Sequence, residues 1–191
     1  EIIDKLYKNG IYVILATPSG ARPPWLAQKY PEVLRVTEDR VKRLYGRRHN
    51  HCLTSPVYRE KTALIDGKLA ERYGKHPAVV MWHIGNEFSG ECHCERCRAR
   101  FREWLKVKYH NSLDELNHEW WSAFWSHMYT DWEQIDSPSP IGENGVHAQW
   151  LDWRRYVNDM TIDFYENEVR AVRQYSDLPV TTNFMEVEGF D

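Results

Sequence analysis

Apolar residues along this chain follow two periods. Ile2, Ile3 and Leu6 recur at helical spacing, and Asn9-Gly10 behind them offers the left-handed exit at which a helix stops. From Ile11 to Thr17 (IYVILAT) the pattern becomes a continuous apolar run with β-branched residues, which predicts a strand covered on both faces, as in a parallel sheet. PSGARPP after it reads as a loop. Ser55-Pro56 joins a capping hydroxyl to a proline at the first helical position, and Ile65, Leu69 and Tyr73 continue in steps of four until Gly74 ends the helix. A second buried strand is predicted over Ala78 to Asn86 (AVVMWHIGN). From Cys94 a charged helix carries Cys97, Phe101 and Leu105 along one side. Trp150, Trp153, Val157, Met160 and Phe164 then alternate by three and four, which predicts a long amphipathic helix running towards Tyr175. Pro179 precedes a third strand, VTTNF.

Strands alternating with helices in this order predict an α/β fold with right-handed βαβ units and a parallel sheet. With no internal repeat, low-complexity tract or linker, one domain is expected. Ligands of such folds meet the carboxyl ends of the strands, where Thr17, Asn86, Glu87 and Asn183 stand. The chain has 191 residues, 42% apolar and 14% aromatic, enough for a sizeable core. A net charge of −3 provides no broad attraction for phosphate backbones or anionic lipid, so neither nucleic acid nor a membrane surface is an expected partner. No apolar run reaches the length of a membrane span and no secretory leader is visible, so the cytoplasm is the expected location. Glu1 lies inside a helical pattern without an initiating Met, and Asp191 directly follows a strand-like run. The chain therefore reads as an excerpt of a longer one.

Two pieces of chemistry stand side by side in MWHIGNEFSGECHCERC, Met81 to Cys97. Glu87 follows a buried strand containing Trp82 and His83, so its carboxyl is expected to face a partly apolar, partly hydrogen-bonded cavity. Desolvation there would raise its pKa, as a general acid needs near neutral pH. A glutamate bracing the next helix would fit the spacing equally well, but Asn86 favours the acid, because a neighbouring amide can hold a sugar hydroxyl near a glycosidic bond. The four cysteines are Cys52, Cys92, Cys94 and Cys97, three of them as C-x-C-x-x-C. With Cys94 and Cys97 in the first turn of a helix, Cys92 folding back and Cys52 arriving from a distant loop, they would enclose a structural zinc ion with no open position. Disulfides and free thiols are the alternatives, the first strained by crowding three cysteines into six residues. His93, His49 and His51 could substitute as ligands. A rival reading, a zinc-organised binding module without catalytic activity, draws on Arg96, Arg98, Arg100 and Arg102, but these are interspersed with Glu95 and Glu103.

GRRHNHC leading to SPVYRE, the NE after a buried strand, CHCERCRARFREWL, LNHEWWSAFWSHMYTDW and TTNFM together resemble the family 42 glycoside hydrolases, the β-galactosidases of bacteria and archaea, over nearly the whole chain. The resemblance implies a (β/α)8 TIM barrel, of which this chain is a central fragment, about strands 3 to 5 with their helices. Residues 1–191 would then be part of an N-terminal catalytic domain, truncated at both ends. It implies retaining hydrolysis of terminal β-D-galactosides by two glutamates, with the acid/base at Glu87. Arg48 and Asn86 match positions that contact the galactose, Trp125 an aromatic wall of the pocket, and Asn183 the end of the fifth strand. Arg47, next to Arg48, and core packing for Trp125 are the alternatives. Cys52, Cys92, Cys94 and Cys97 match a four-cysteine Zn2+ site, and the resemblance suggests a trimer. Gly85 and Phe88 depart from the flanking residues common in the family. The nucleophile would be a second glutamate beyond Asp191, a role not expected of Glu186 or Glu188, so the fragment alone should be inactive.

Overall fold

The computed structural model describes residues 1–46, 48–142 and 146–184, without the side chain of Trp125. Six helices and three strands alternate along it: α1 (Ile2–Lys8), β1 (Val13–Ala16), α2 (Pro24–Lys29), α3 (Pro56–Tyr73), β2 (Val79–His83), α4 (Glu95–Lys108), α5 (Leu113–Glu119), α6 (His147–Arg173) and β3 (Val180–Thr181). The strands form one parallel sheet in the order β1-β2-β3. Leu15 lies beside Trp82 and Ala16 beside His83, while Trp82 and His83 in turn face Val180 and Thr181.

Helices α4 and α6 follow the apolar periods, burying Cys97, Phe101 and Leu105 on one and Trp153 and Phe164 on the other. In α3 the predicted stripe is not the buried face: Ile65 is exposed and Tyr58, Thr62, Asp66 and Ala70 turn inward, because that helix packs against the buried Glu168 of α6 as well as against apolar groups. Ser55 Oγ accepts the Tyr58 N–H at the start of α3, and a side chain at Gly74 would stand 2.6 Å from the Ala70 carbonyl oxygen where the helix ends. Cys94 is the residue before α4 rather than a member of its first turn. Helix α2 starts at Pro24, inside the stretch predicted to be a loop, and α5 is capped by Ser112, whose Oγ accepts the Glu115 N–H at 3.1 Å. Both run for six or seven residues, too few for a period of 3.6 to stand out. The strands are shorter than their apolar runs, yet pairing outlasts β3: Ile84 N–H donates to Thr181 O at 2.7 Å and Glu87 N–H to Asn183 O at 3.1 Å.

Helices α3 and α6 cover one face of the sheet, where Leu15, Trp82 and Val180 pack with Ala70 and Val172. The opposite face is open among the described residues, and Ile14 there is 56% exposed. The expectation of strands covered on both faces is therefore met on one face only within this chain. A second cluster joins Tyr58, Phe88 and Phe164, and a third packs Phe101 edge-on to Trp153 at 5.0 Å with Leu105, Trp120 and Tyr156. Phe164 has no exposure and touches Phe88, just after Glu87. Phe164→Ala should lower the unfolding free energy by about 3–5 kcal/mol in urea titrations; a loss below about 1 kcal/mol would mean that this cluster relaxes around the cavity.

Candidate active site and metal centre

The sequence after β2 has to turn sharply. Ile84 is fully buried, and Gly85 adopts φ +61 with the Phe88 ring so close that a Cβ would stand 2.2 Å from it. Only glycine fits there. Phe88 is fixed in turn by edge-to-face contacts with Phe164 and Tyr165, at 6.1 and 6.2 Å. Gly85 and Phe88 thus form a matched pair. Glu87 itself has φ +50. A residue with a side chain held in a sparsely populated region costs about 1–3 kcal/mol and persists only where its surroundings over-determine it. Here the Glu87 N–H donates to both Asn183 O and Asn183 Oδ1, at 3.1 and 3.2 Å, Phe88 bridges to Phe184, and the Gly85 N–H donates to Thr17 Oγ1 at 2.6 Å.

The Glu87 side chain is 29% exposed and pairs with the guanidinium of Arg48, itself 57% exposed. Asn183 Oδ1 also lies 3.0 Å from His83 Nε2, so with the Glu87 N–H already donating to that oxygen, the imidazole is assigned the tautomer with a proton on Nε2. Arg48, Glu87 and Asn183 are therefore brought together from segments far apart in sequence, and Asn86 lies partly buried in the same turn. His83 joins them on the same sheet face; its alternation with buried Trp82 was the only signal for that. Thr17 turns the other way, into the protein, and lies beneath the turn rather than in the site. The Trp125 backbone belongs to a 3-10 turn, Phe124–Ser126, and its side chain lies outside the described residues, as do Arg47, Glu186 and Glu188.

Close to this turn the four cysteine sulfurs all lie within 4.8 Å of one another. Cys52 Sγ is 3.8 Å from Cys94 Sγ and 3.5 Å from Cys97 Sγ, and Cys94 and Cys97 are 3.6 Å apart. A tetrahedron with metal–sulfur bonds of ~2.3 Å has edges of ~3.8 Å, so the cluster has the dimensions of a four-thiolate metal site. No disulfide joins these cysteines. Hydrogen bonds with Cys52 push the Cys97 and Cys92 thiols far up and hold Cys94 well down. Four thiolates this close together repel one another unless a cation sits among them, and a soft divalent ion would supply that charge. The Val36 N–H donates to Cys92 Sγ at 3.4 Å. No histidine joins the sulfur cluster among the described residues: His93 Nδ1 is 2.9 Å from Ser137 Oγ with its ring stacked on Trp153, and His51 stacks on Tyr58 at 4.0 Å.

Arg35, for which no spacing in the sequence gave a signal, links the two halves. Its buried guanidinium donates to His51 O at 2.7 Å and to Ser89 O at 2.6 Å, spanning the segment of Arg48 and Cys52 and the turn of Glu87. Burial works against its charge, and the neighbouring Cys92 works for it. Gly90, at φ +73, makes room, since a Cβ there would stand 2.2 Å from Arg35 Nη1. Two of the four arginines of α4 form ion pairs with neighbouring acids, Arg98 with Asp136 at 2.7 Å and Arg102 with Glu133 at 2.9 Å, which weakens the nucleic-acid reading. No helix among the described residues is long and apolar enough to cross a membrane.

Comparison with known proteins shows what the chain is similar to. The glycoside hydrolase 42 family, described as Beta-galactosidase, matches residues 1–191. Beta-galactosidase GanA of Bacillus subtilis is 63% identical over 186 residues, 97% of this chain and 28% of that protein. The cold-adapted β-galactosidase of Rahnella sp. R3 superposes with a TM-score of 0.97 at 58% identity, covering 100% of this chain and 28% of the other. A GH42 β-galactosidase of G. stearothermophilus, solved as a catalytic mutant, gives 0.94 at 62% identity over 96% of this chain and 27% of its own. The chain thus spans under a third of the length of the relatives it matches.

If the sulfurs hold a metal, Cys97→Ser in the full-length protein should remove about one equivalent per chain by elemental mass spectrometry and lower the melting temperature. Retention of the full metal content would mean that the ion is bound elsewhere.

Proposed function

This chain belongs to glycoside hydrolase family 42, Beta-galactosidase, and from that membership we propose that residues 1–191 are about the third to fifth strands, with their helices, of a (β/α)8 barrel forming the catalytic domain of a longer protein. The open sheet face with Ile14 supports this reading, because the remaining strands of a closed barrel would cover it. The activity we assign to the whole protein is retaining hydrolysis of terminal β-D-galactosides. The observation that carries it is the meeting of Glu87, Arg48 and Asn183 at the carboxyl ends of parallel strands.

In this reading Glu87 donates its proton to the glycosidic oxygen as the leaving group departs, while a second carboxylate from outside residues 1–191 attacks the anomeric carbon from the other side. Glu87, by then ionised, takes a proton from the water that hydrolyses the galactosyl intermediate. Arg48 holds the carboxyl in place before substrate arrives. Asn86, Arg48 and Asn183 offer donors and acceptors to the galactose hydroxyls, with Trp125 as a wall. The backbone strain at Glu87 serves this chemistry by aiming the carboxyl inward from a turn that would otherwise point it elsewhere. Zn2+ held by Cys52, Cys92, Cys94 and Cys97 fits the sulfur spacing and has a structural role only, since four thiolates leave no position open to substrate. It would pin the loop after Glu87 to the segment that carries Arg48.

Glu87→Gln in the full-length enzyme should lower kcat/KM about 10²–10⁴-fold on an alkyl galactoside and far less on a dinitrophenyl galactoside, which departs without a proton. Equal losses on both would exclude the acid role. Chelation should lower the melting temperature and reduce turnover only in part; a melting temperature that did not move would exclude the structural role of zinc.

A further inference from the structure

Beneath the Glu87 turn lies a second pair of carboxyls that the reaction does not use. Asp66 on α3 and Glu168 on α6 are both fully buried. Glu168 accepts two hydroxyls, Thr17 Oγ1–H at Oε1 and Ser19 Oγ–H at Oε2, each at 2.9 Å. Thr17 is in turn the acceptor for the Gly85 N–H at 2.6 Å. Its one proton is committed to Glu168, so its lone pairs face the turn, and the polarity of the chain of bonds is fixed from Glu168 to Gly85. Burial raises the Glu168 carboxyl, and the hydroxyls of Ser19 and Thr17 work against that rise by favouring its ionised form. Asp66 lies against Glu168, and burial together with the charge of Glu168 and a hydrogen bond with it pushes the Asp66 carboxyl up to about 10. The hydrogen bond between the two raises Asp66 and lowers Glu168, so Asp66 is the member that holds the proton the pair shares. All these groups lie between α3, α6 and β1, so their burial owes nothing to residues outside this chain.

We propose that Thr17 and Glu168 are positioning residues for the acid: Glu168 orients the Thr17 hydroxyl, and that hydroxyl anchors Gly85, two residues before Glu87, so that the strained turn cannot relax. This rests on the assignment of Glu87 as the acid. Without the anchor, the buried Gly85 N–H has no partner and Glu87, held at φ +50, is free to move to an easier conformation. Ser55, Tyr58 and the neighbouring core remain in place, because the Tyr58 hydroxyl bonds to the Ser19 carbonyl rather than to its side chain.

The test uses the full-length enzyme with Glu87→Gln measured in parallel. Thr17→Val, equal in shape, should lower kcat/KM on lactose about tenfold to a hundredfold and on a dinitrophenyl galactoside by less than about threefold, because only the first leaving group needs the proton. Thr17→Ser, which restores the hydroxyl, should recover both rates to within about threefold of the parent. Glu168→Gln should show the same preference with a smaller loss, since one amide oxygen still accepts. A Thr17→Val loss that is equal on both substrates, or that serine does not rescue, overturns the positioning role while a selective Glu87→Gln leaves the acid in place. If Glu87→Gln itself is unselective, the acid assignment fails and this proposal falls with it.

Discussion

A single strained turn organises this molecule. Gly85 and Glu87 both sit at positive φ, one because no side chain fits against Phe88, the other against the preference of any residue with a Cβ. Such a turn survives only if it is held from several directions, and it is: from below by Thr17, from the neighbouring strand by Asn183, and across the site by Arg48. Each of these partners belongs to a different segment, so the position of one carboxyl depends on the sheet register, on the ends of β1 and β3, and on the loop before α3. The wider fold can be understood as the means of bringing those segments to one place.

Two buried polar clusters flank the turn, and they solve the problem of interior charge in opposite ways. Asp66 and Glu168 share one negative charge by keeping a proton on Asp66, and Glu168 spends its charge on two hydroxyls. The four cysteines are weaker donors and acceptors than carboxyls and are crowded to the distances of metal ligands. Their spacing suits a cation in the middle, with Arg35 adding positive charge at the edge. One cluster is set by a proton and the other, as proposed, by a metal. The first reaches the turn of Glu87 through Thr17, and the second would tie that turn to the segment of Arg48.

Arg35 shows how a polar core residue can matter without touching substrate. Its two donors satisfy carbonyls on either side of the site, and Gly90 has no side chain so that the guanidinium can pass. Replacing it with an apolar residue would leave two buried carbonyls unpaired, each costing about 1–3 kcal/mol. The loop conformation and the guanidinium therefore depend on each other.

The apolar periods of the sequence determined the order of the major elements, since a buried face has to repeat every 3.6 residues in a helix and runs unbroken in a covered strand. They did so for β1, β2, α4, α6 and β3, while α3 was marked by its Ser55-Pro56 start rather than by its buried face. The cysteine spacing and the Asn86-Glu87 pair at a strand end were also legible, because each is a local pattern. What the sequence could not carry were relations between segments. Short helices such as α5 leave no period, the departures at Gly85 and Phe88 are explained only by the Phe88 ring filling the space a side chain at Gly85 would need, and Arg35, Thr17 and Glu168 acquire meaning only from partners 16 to 151 residues away. Hydrogen bonds of that separation are decided by packing, in which burial, register and the removal of water select one partner among many that the sequence permits.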